Sequence, residues 1–84
     1  MVIKMMGLKM LKIKIKEKLE NQFDELVDIK DSWNTINGKI IIFEMRDIEI
    51  YYNVKNGTVE ITNNCYWWKF EKLEKSFDLI ENLL

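Results

Sequence analysis

The chain contains no histidine, no proline and no alanine, and it has a single cysteine and a single arginine among its 84 residues. Without histidine, neither a serine nor a cysteine nucleophile has its usual general base. One cysteine, Cys65, excludes an internal disulfide bond and a zinc site built from paired cysteines. A glycine-rich phosphate loop and a dinucleotide-binding fingerprint are also missing. We therefore predict that the protein is not an enzyme and holds no cofactor and no metal ion.

The sequence also lacks long apolar runs. Lysines interrupt the N-terminal hydrophobic residues before they reach the length of a signal peptide, and no stretch approaches the ~20 apolar residues of a membrane span. Together with the unpaired cysteine, this predicts a cytoplasmic protein that does not enter membranes. The missing residue types have GC-rich codons, whereas the abundant lysine, isoleucine and asparagine have AT-rich codons. That bias indicates a low-GC organism or one of its mobile elements.

The residues that are present are sufficient for one folded domain. The chain is 48% hydrophobic and 32% charged, a composition typical of globular proteins. We therefore expect a single domain over residues 1–84, in which residues 1–9 are flexible or cover part of the sheet. The net charge of -1 conceals an uneven distribution. Residues 1–16 hold five lysines and no acidic residue, and residues 17–36 hold six acidic residues and two lysines.

The spacing of residues 11–36 predicts a strand followed by a helix. Apolar residues alternate with Lys12, Lys14 and Lys16, which is typical of a half-buried strand with a lysine face. From about residue 17 the apolar residues recur every three or four positions, and Asn37-Gly38 provides a helix stop. We therefore predict a helix over residues 17–36. Its outer face would carry an acidic stripe formed by Glu17, Glu20, Asp24, Asp28 and Asp31.

A β-hairpin turn is predicted at Asn56-Gly57. A two-residue type I′ turn needs positive φ at both central positions, and asparagine and glycine adopt it most readily. The two flanking segments then pair with apolar residues opposite each other, for example Tyr52 opposite Ile61. This pairing predicts two antiparallel strands with one apolar face.

A second turn is predicted at Arg46-Asp47. It joins another strand to the hairpin and places Phe43 opposite Ile50, on the same apolar face. It also places Glu44 opposite Glu49, which is an unfavourable like-charge pair. The opposite, outer face of this three-stranded meander would carry Ile40, Ile42 and Tyr51.

The last segment is predicted to be a helix that begins after Asn64, a good N-cap residue. Its apolar residues recur at helical spacing and form one stripe, made of Tyr66, Phe70, Leu73, Phe77, Ile80 and Leu84. At about 100° per residue, Trp67 flanks this stripe and is expected in the core. Trp68 points away from the stripe, on the arc that holds Leu79.

Together these elements predict a small two-layer α+β domain with the order β-α-β-β-β-α. The strands would form an antiparallel meander, with both helices packed on one of its faces. The strand that carries the lysines would form an edge of the sheet, where charged side chains deter aggregation.

Binding of another protein is the function that these features favour. Exposed aromatic and apolar residues are typical of protein interfaces, and the predicted partner-binding residues are Trp68, Tyr51, Ile40, Ile42 and Leu79. The acidic stripe would suit a basic partner and would imitate a row of phosphates, which fits a mobile-element inhibitor of a host nuclease. We therefore predict a regulator or inhibitor of a macromolecular partner, and we also expect homodimerisation.

The alternative is a nucleic-acid-binding module. Lys12, Lys14 and Lys16 on one strand face would contact phosphates, giving affinity that depends on salt and is indifferent to sequence. No arginine or asparagine lies among these lysines to read base edges. A solubilising edge strand explains the same three lysines without any nucleic acid.

Overall fold

The computed structural model describes residues 2–36 and 38–84, with side chains for residues 7–30, 32–36 and 38–84. Its elements in chain order are α1 (Val2–Phe23), β1 (Asp28–Thr35), β2 (Gly38–Met45), β3 (Ile48–Asn53), β4 (Val59–Thr62), β5 (Trp67–Phe70), a 3-10 turn (Leu73–Ser76) and α2 (Phe77–Leu83). The five strands form one antiparallel sheet in the order β1-β2-β3-β4-β5. The predicted α+β class is confirmed, but the order of elements is α-β-β-β-β-β-α.

One hydrophobic core joins the sheet to both helices. Its members alternate along the strands, as expected for one face of a sheet, and include Ile41, Phe43, Ile50, Val59 and Ile61. From outside the sheet, Ile15 and Leu19 of α1, Leu73 of the 3-10 turn and Ile80 of α2 belong to the same cluster. We call this side of the sheet the inner face and the opposite side the outer face.

The prediction of a strand at residues 11–16 is wrong, because this segment lies within α1. The alternation was misleading: it required Ile13 to be buried, yet Ile13 is exposed, whereas Ile15 and Leu19 are buried at a four-residue spacing. Leu8 and Leu11 continue this stripe and pack against the core cluster. Leucine and lysine are also good helix formers, so local preference and burial both favour a helix here.

The prediction of one helix over residues 17–36 is also wrong. The helix ends at Phe23, where Asp24 adopts a left-handed conformation with φ of 55° and donates its backbone N–H to the Glu20 carbonyl at 2.8 Å. The Glu20 carboxylate then accepts the backbone N–H of Val27 at 3.0 Å. These contacts reverse the chain, and β1 begins four residues later. Asn37, part of the predicted helix stop, lies outside the described residues.

The predicted register between β2 and β3 is confirmed. Phe43 lies opposite Ile50 and Glu44 lies opposite Glu49 across the Arg46-Asp47 turn. Arg46 in this turn has a positive φ of 53°, so it takes the left-handed conformation that glycine or asparagine usually supplies.

The predicted register between β3 and β4 is wrong by two residues, since Tyr52 lies opposite Val59 instead of Ile61. The loop is longer because the Asn53 side chain closes it: Oδ1 accepts the backbone N–H groups of Lys55 at 2.8 Å and Asn56 at 3.3 Å. A shift of two residues leaves every side chain on its predicted face.

The prediction of a helix from residue 65 is wrong for its first half. The Asn63 Oδ1 accepts the backbone N–H groups of Cys65 at 3.4 Å and Tyr66 at 3.3 Å, which makes a turn before β5 instead of a helix cap. Asn64 has a positive φ of 87° in this turn. Residues 67–70 then pair with β4, and the α-helix α2 covers only Phe77–Leu83.

Candidate functional site

The outer face of the sheet carries a regular grid of side chains. Cross-strand partners in successive strands define its rows. One row is Glu44, Glu49, Thr62 and Trp67; the next is Ile42, Tyr51, Glu60 and Lys69; a third begins with Ile40 and Asn53. On β1, Trp33 lies opposite Ile40 and therefore extends the third row.

Three aromatic rings cross this grid from one edge strand to the other. Trp33 of β1 and Tyr51 of β3 have ring centroids 6.2 Å apart at an interplanar angle of 61°. Tyr51 and Trp67 of β5 have centroids 5.1 Å apart at 49°. Because the three residues occupy three successive rows, they form an oblique line, which we call the aromatic diagonal.

The side chains beneath the aromatic diagonal are buried, whereas its rings are exposed to solvent. Ile42 of β2 is only 2% exposed although it does not belong to the core cluster of the inner face, and Thr62 of β4 is also buried. Ile42 and Thr62 lie in β2 and β4, which are the strands between those that carry the three rings. Neighbouring large side chains therefore shield them from water. Trp33 and Trp67 are themselves 50% and 59% exposed. The diagonal is therefore a solvent-facing apolar strip on a packed base.

An acidic region lies on one side of the diagonal. The like-charge pair Glu44 and Glu49 is bridged by Lys30, whose Nζ lies 3.7 Å from a Glu44 carboxylate oxygen and forms an ion pair with Glu49. This bridge lowers the pKa of Glu49 and raises the pKa of Lys30. The Tyr51 hydroxyl donates to Glu49 at 3.0 Å. Burial, followed by this carboxylate, raises the pKa of the Tyr51 hydroxyl.

A concave region of about 610 Å³ lies on the other side of the diagonal. Its walls include Trp33 and Tyr51, and its polar lining includes Lys55, Lys69 and Glu60. Among the residues whose side chains the structure describes, neither lysine has a carboxylate oxygen within 4.0 Å. The two sides of the diagonal therefore differ in charge.

Three of the predicted partner-binding residues share this face. Tyr51, Ile40 and Ile42 lie on it as expected, although Ile42 is buried beneath the neighbouring side chains and is not exposed. Trp68 and Leu79 lie on the other side and pack against the core cluster. The roles of all five in binding stay predictions.

Sequence reasoning missed Trp33 and Trp67, the two most exposed rings of the diagonal. The residues around Trp67 alternate with the strand period of two, and not with the helical period of 3.6. Along residues 67–70, Trp67 and Lys69 face outward, whereas Trp68 and Phe70 pack inward. With four aromatic residues in six positions, both periods give an apolar stripe, and only pairing with β4 distinguishes them.

The predicted acidic stripe is not a single surface. Glu17 and Glu20 belong to α1, Asp24 occupies the reversal after it, and Asp28 lies in β1. Glu20 is held by the Val27 N–H and by Lys16, whose Nζ lies 3.0 Å away. The Asp31 side chain lies outside the described part of the chain. A row of phosphate-like charges therefore has no structural basis in one helix face.

The predicted lysine face is dispersed as well. Lys12, Lys14 and Lys16 lie on α1, where a step of two residues rotates a side chain by about 200°. Lys14 therefore points away from the side that Lys12 and Lys16 share. Lys16 pairs with Glu20, and the neighbouring Lys18 pairs with Glu74 of the 3-10 turn. A continuous phosphate-binding row would need these lysines on one side.

Within residues 2–36 and 38–84, no helix has the length and apolar character to span a membrane, and the described side chains form no cluster of three or more metal-ligating residues. Comparisons with protein-family models, with curated proteins and with solved structures find no match for this chain. Its function therefore has to be inferred from its own residues.

Proposed function

We propose that the chain is a small protein-binding module that regulates or inhibits a macromolecular partner, and that the outer face is its binding surface. The aromatic diagonal carries this proposal. Tryptophan and tyrosine are the residues most enriched at interface hot spots, and both tryptophans of the diagonal are half exposed or more. Within the described chain, both helices contribute to the core on the other face, so neither covers the diagonal.

The chemistry around the diagonal favours a protein over a nucleic acid. Phosphate backbones require a surface of positive potential, but Glu44 and Glu49 border the rings on one side. The rings are tilted against each other by 49° to 61° and do not present parallel faces for successive bases to stack on. Mixed charges around an apolar strip match the polar rim of a protein interface.

The nuclease-inhibitor form of this proposal loses its main support, because it relied on an acidic stripe along one helix. Regulation of a protein partner does not need that stripe. The proposed cytoplasmic location and the low-GC host still determine where to look for the partner.

Capture of partners from a low-GC bacterial lysate tests the proposal. The tagged chain is compared with a Trp33→Ala/Trp67→Ala variant, which removes both exposed rings of the diagonal. The matched control is Tyr66→Ala, since Tyr66 is an exposed aromatic residue that precedes Trp67 in the chain, but its ring contacts Trp68 and not the diagonal. We expect the double variant to lose proteins that the wild type and the control retain.

Two results would contradict the proposal. One is capture of the same proteins by the wild type and by the double variant. The other is tight binding of random oligonucleotides that weakens steeply with salt and disappears when Lys12, Lys14 and Lys16 are replaced by glutamine. That result would favour the nucleic-acid alternative.

A further inference from the structure

We propose that a second copy of this chain binds the outer face, in a symmetric dimer whose two-fold axis runs along the aromatic diagonal. This inference rests on the proposed function, since it names a protein that the same face binds. It follows from how charge is arranged on the two sides of the diagonal.

The two sides carry opposite net charge. One side, the acidic flank, holds Lys30 with three acidic residues, Asp28, Glu44 and Glu49. The other side, the basic flank, holds Lys55, Lys69 and Glu60 along the concave region. Positions in the grid separate the two groups. In β3, Glu49 lies one row to one side of Tyr51, in the row of Trp67. In β5, Lys69 lies one row to the opposite side of Trp67, in the row of Tyr51.

A two-fold axis that lies within an interface exchanges the two sides of the face about that axis. If the axis runs along the diagonal, the acidic flank of each copy lies against the basic flank of the other. If the axis runs across the diagonal, each flank instead lies against its own copy, and like charges meet. Like-charge juxtaposition is strongly unfavourable in an interface, so the charge pattern selects the first arrangement.

The same axis also brings the aromatic residues together. Residues on or near a two-fold axis meet their own copies, so the exposed rings of Trp33 and Trp67 would be covered by the partner's rings. The diagonal would form the apolar centre of the interface, and the two flanks would form its charged rim. This arrangement covers the most exposed rings of the outer face and places each flank against one of opposite net charge.

The size of the face sets the expected strength of the dimer. Five strands spaced about 4.8 Å apart make a face roughly 20 Å wide. Such a face is small beside interfaces that bury about 800 Å² on each partner. We therefore expect a dissociation constant in the micromolar range, measured by sedimentation equilibrium from micromolar to millimolar protein.

Charge reversal of one flank at a time tests the axis. The acidic-flank variant is Glu44→Lys/Glu49→Lys, and the basic-flank variant is Lys55→Glu/Lys69→Glu. Each variant alone would place like charges against each other twice, so its dimer dissociation constant should rise roughly 100-fold or more. An equimolar mixture should form a heterodimer, because every flank then meets its opposite. Native mass spectrometry distinguishes this heterodimer from either homodimer.

The mixture also controls for folding, since only folded variants can restore the complex. The basic-flank variant adds a further safeguard, because its two lysines have no carboxylate partner among the described side chains. Circular dichroism of each variant completes this control.

A wild type that stays monomeric at millimolar concentration would overturn the inference. A wild-type dimer that neither variant weakens would overturn the axis, as would variants that fail to associate when mixed. A monomeric wild type that still captures another protein through Trp33 and Trp67 would leave the proposed function standing and would refute the dimer.

Discussion

Trp67 and Trp68 are adjacent in β5 and point to opposite faces of the sheet. Trp67 lies opposite Thr62 on the outer face and contacts the Tyr51 ring, whereas Trp68 lies opposite Ile61 and packs against the core cluster. The helical interpretation assigned the two residues the other way round. The difference follows from the strand period of two, which separates neighbours by a half turn.

We therefore predict unequal losses of stability when each tryptophan is replaced by alanine. Trp68→Ala should lower the free energy of unfolding by about 2–3 kcal/mol, slightly less than for a fully buried tryptophan. Trp67→Ala should cost about 1 kcal/mol or less, because most of its ring already faces water. Urea unfolding followed by circular dichroism measures both values. A larger loss for Trp67 than for Trp68 would contradict the placement of β5.

The pairing of β2 with β3 was predictable from the sequence because the length of its turn and the apolar alternation of both strands agree. A two-residue loop at Arg46-Asp47, although it lacks the glycine usual in such turns, and the apolar period of two together determine one register, which includes Glu44 opposite Glu49. The same alternation placed Tyr51 on the outer face. The β3–β4 register failed by two residues, since side-chain closure of the loop by Asn53 is not visible in a hydrophobic pattern.

The structure of the two ends of the chain was not predictable, because the spacing of their apolar residues fits both the helical period of 3.6 and the strand period of two. Leu26, Trp33 and Ile36 follow helical spacing by coincidence, yet all three are exposed, with Ile36 at 98%. Residues 28–35 form a strand because β2 pairs with them. Such tertiary pairing overrides the local spacing of apolar residues. The aromatic diagonal was missed for the same reason. Its three residues lie far apart in the chain and meet only when all five strands are in register.

The lysine between two facing glutamates gives a second prediction. Lys30→Met would leave Glu44 and Glu49 opposite each other without a cation. Because all three side chains are partly exposed, water screens the bridge, and we expect only a small decrease in the free energy of unfolding at low salt. High salt should reduce this loss, since it screens the repulsion.

The control for this prediction is Lys14→Met, which removes an exposed lysine from α1. It should change stability less than Lys30→Met at low salt. Adding Glu44→Gln to the Lys30→Met variant should restore part of the lost stability, since it removes one of the two repelling charges. A Lys30→Met variant that is as stable as the wild type at low salt would show that the bridge contributes nothing.

The carboxylate of Glu20 gives a third prediction, which concerns acid. It joins the end of α1 to the start of the sheet by accepting the Val27 N–H at 3.0 Å. This hydrogen bond, followed by the one from Lys16, lowers the pKa of Glu20 below its usual value of 4.5. Ion pairs with Lys30 and Lys18 likewise lower the pKa values of Glu49 and Glu74.

The sign of the pH effect follows from these lowered pKa values. A carboxylate whose pKa is lower in the folded than in the unfolded state stabilises the fold above its unfolded pKa. That stabilisation is lost as the pH falls through the folded pKa. The free energy of unfolding should therefore decrease as the pH drops below about 4.5, and urea unfolding at a series of acidic pH values measures the slope.

Replacing Glu20 by glutamine isolates its share of this slope. An amide oxygen can still accept the Val27 N–H but does not titrate, so Glu20→Gln should show a smaller decrease in stability with acid than the wild type. Lys16→Met should also reduce the slope, but by less, because the Val27 N–H is the larger cause of the lowered pKa of Glu20. If Glu20→Gln and the wild type lost stability with acid at the same rate, the contact between α1 and Val27 would not be the acid-sensitive link of this fold.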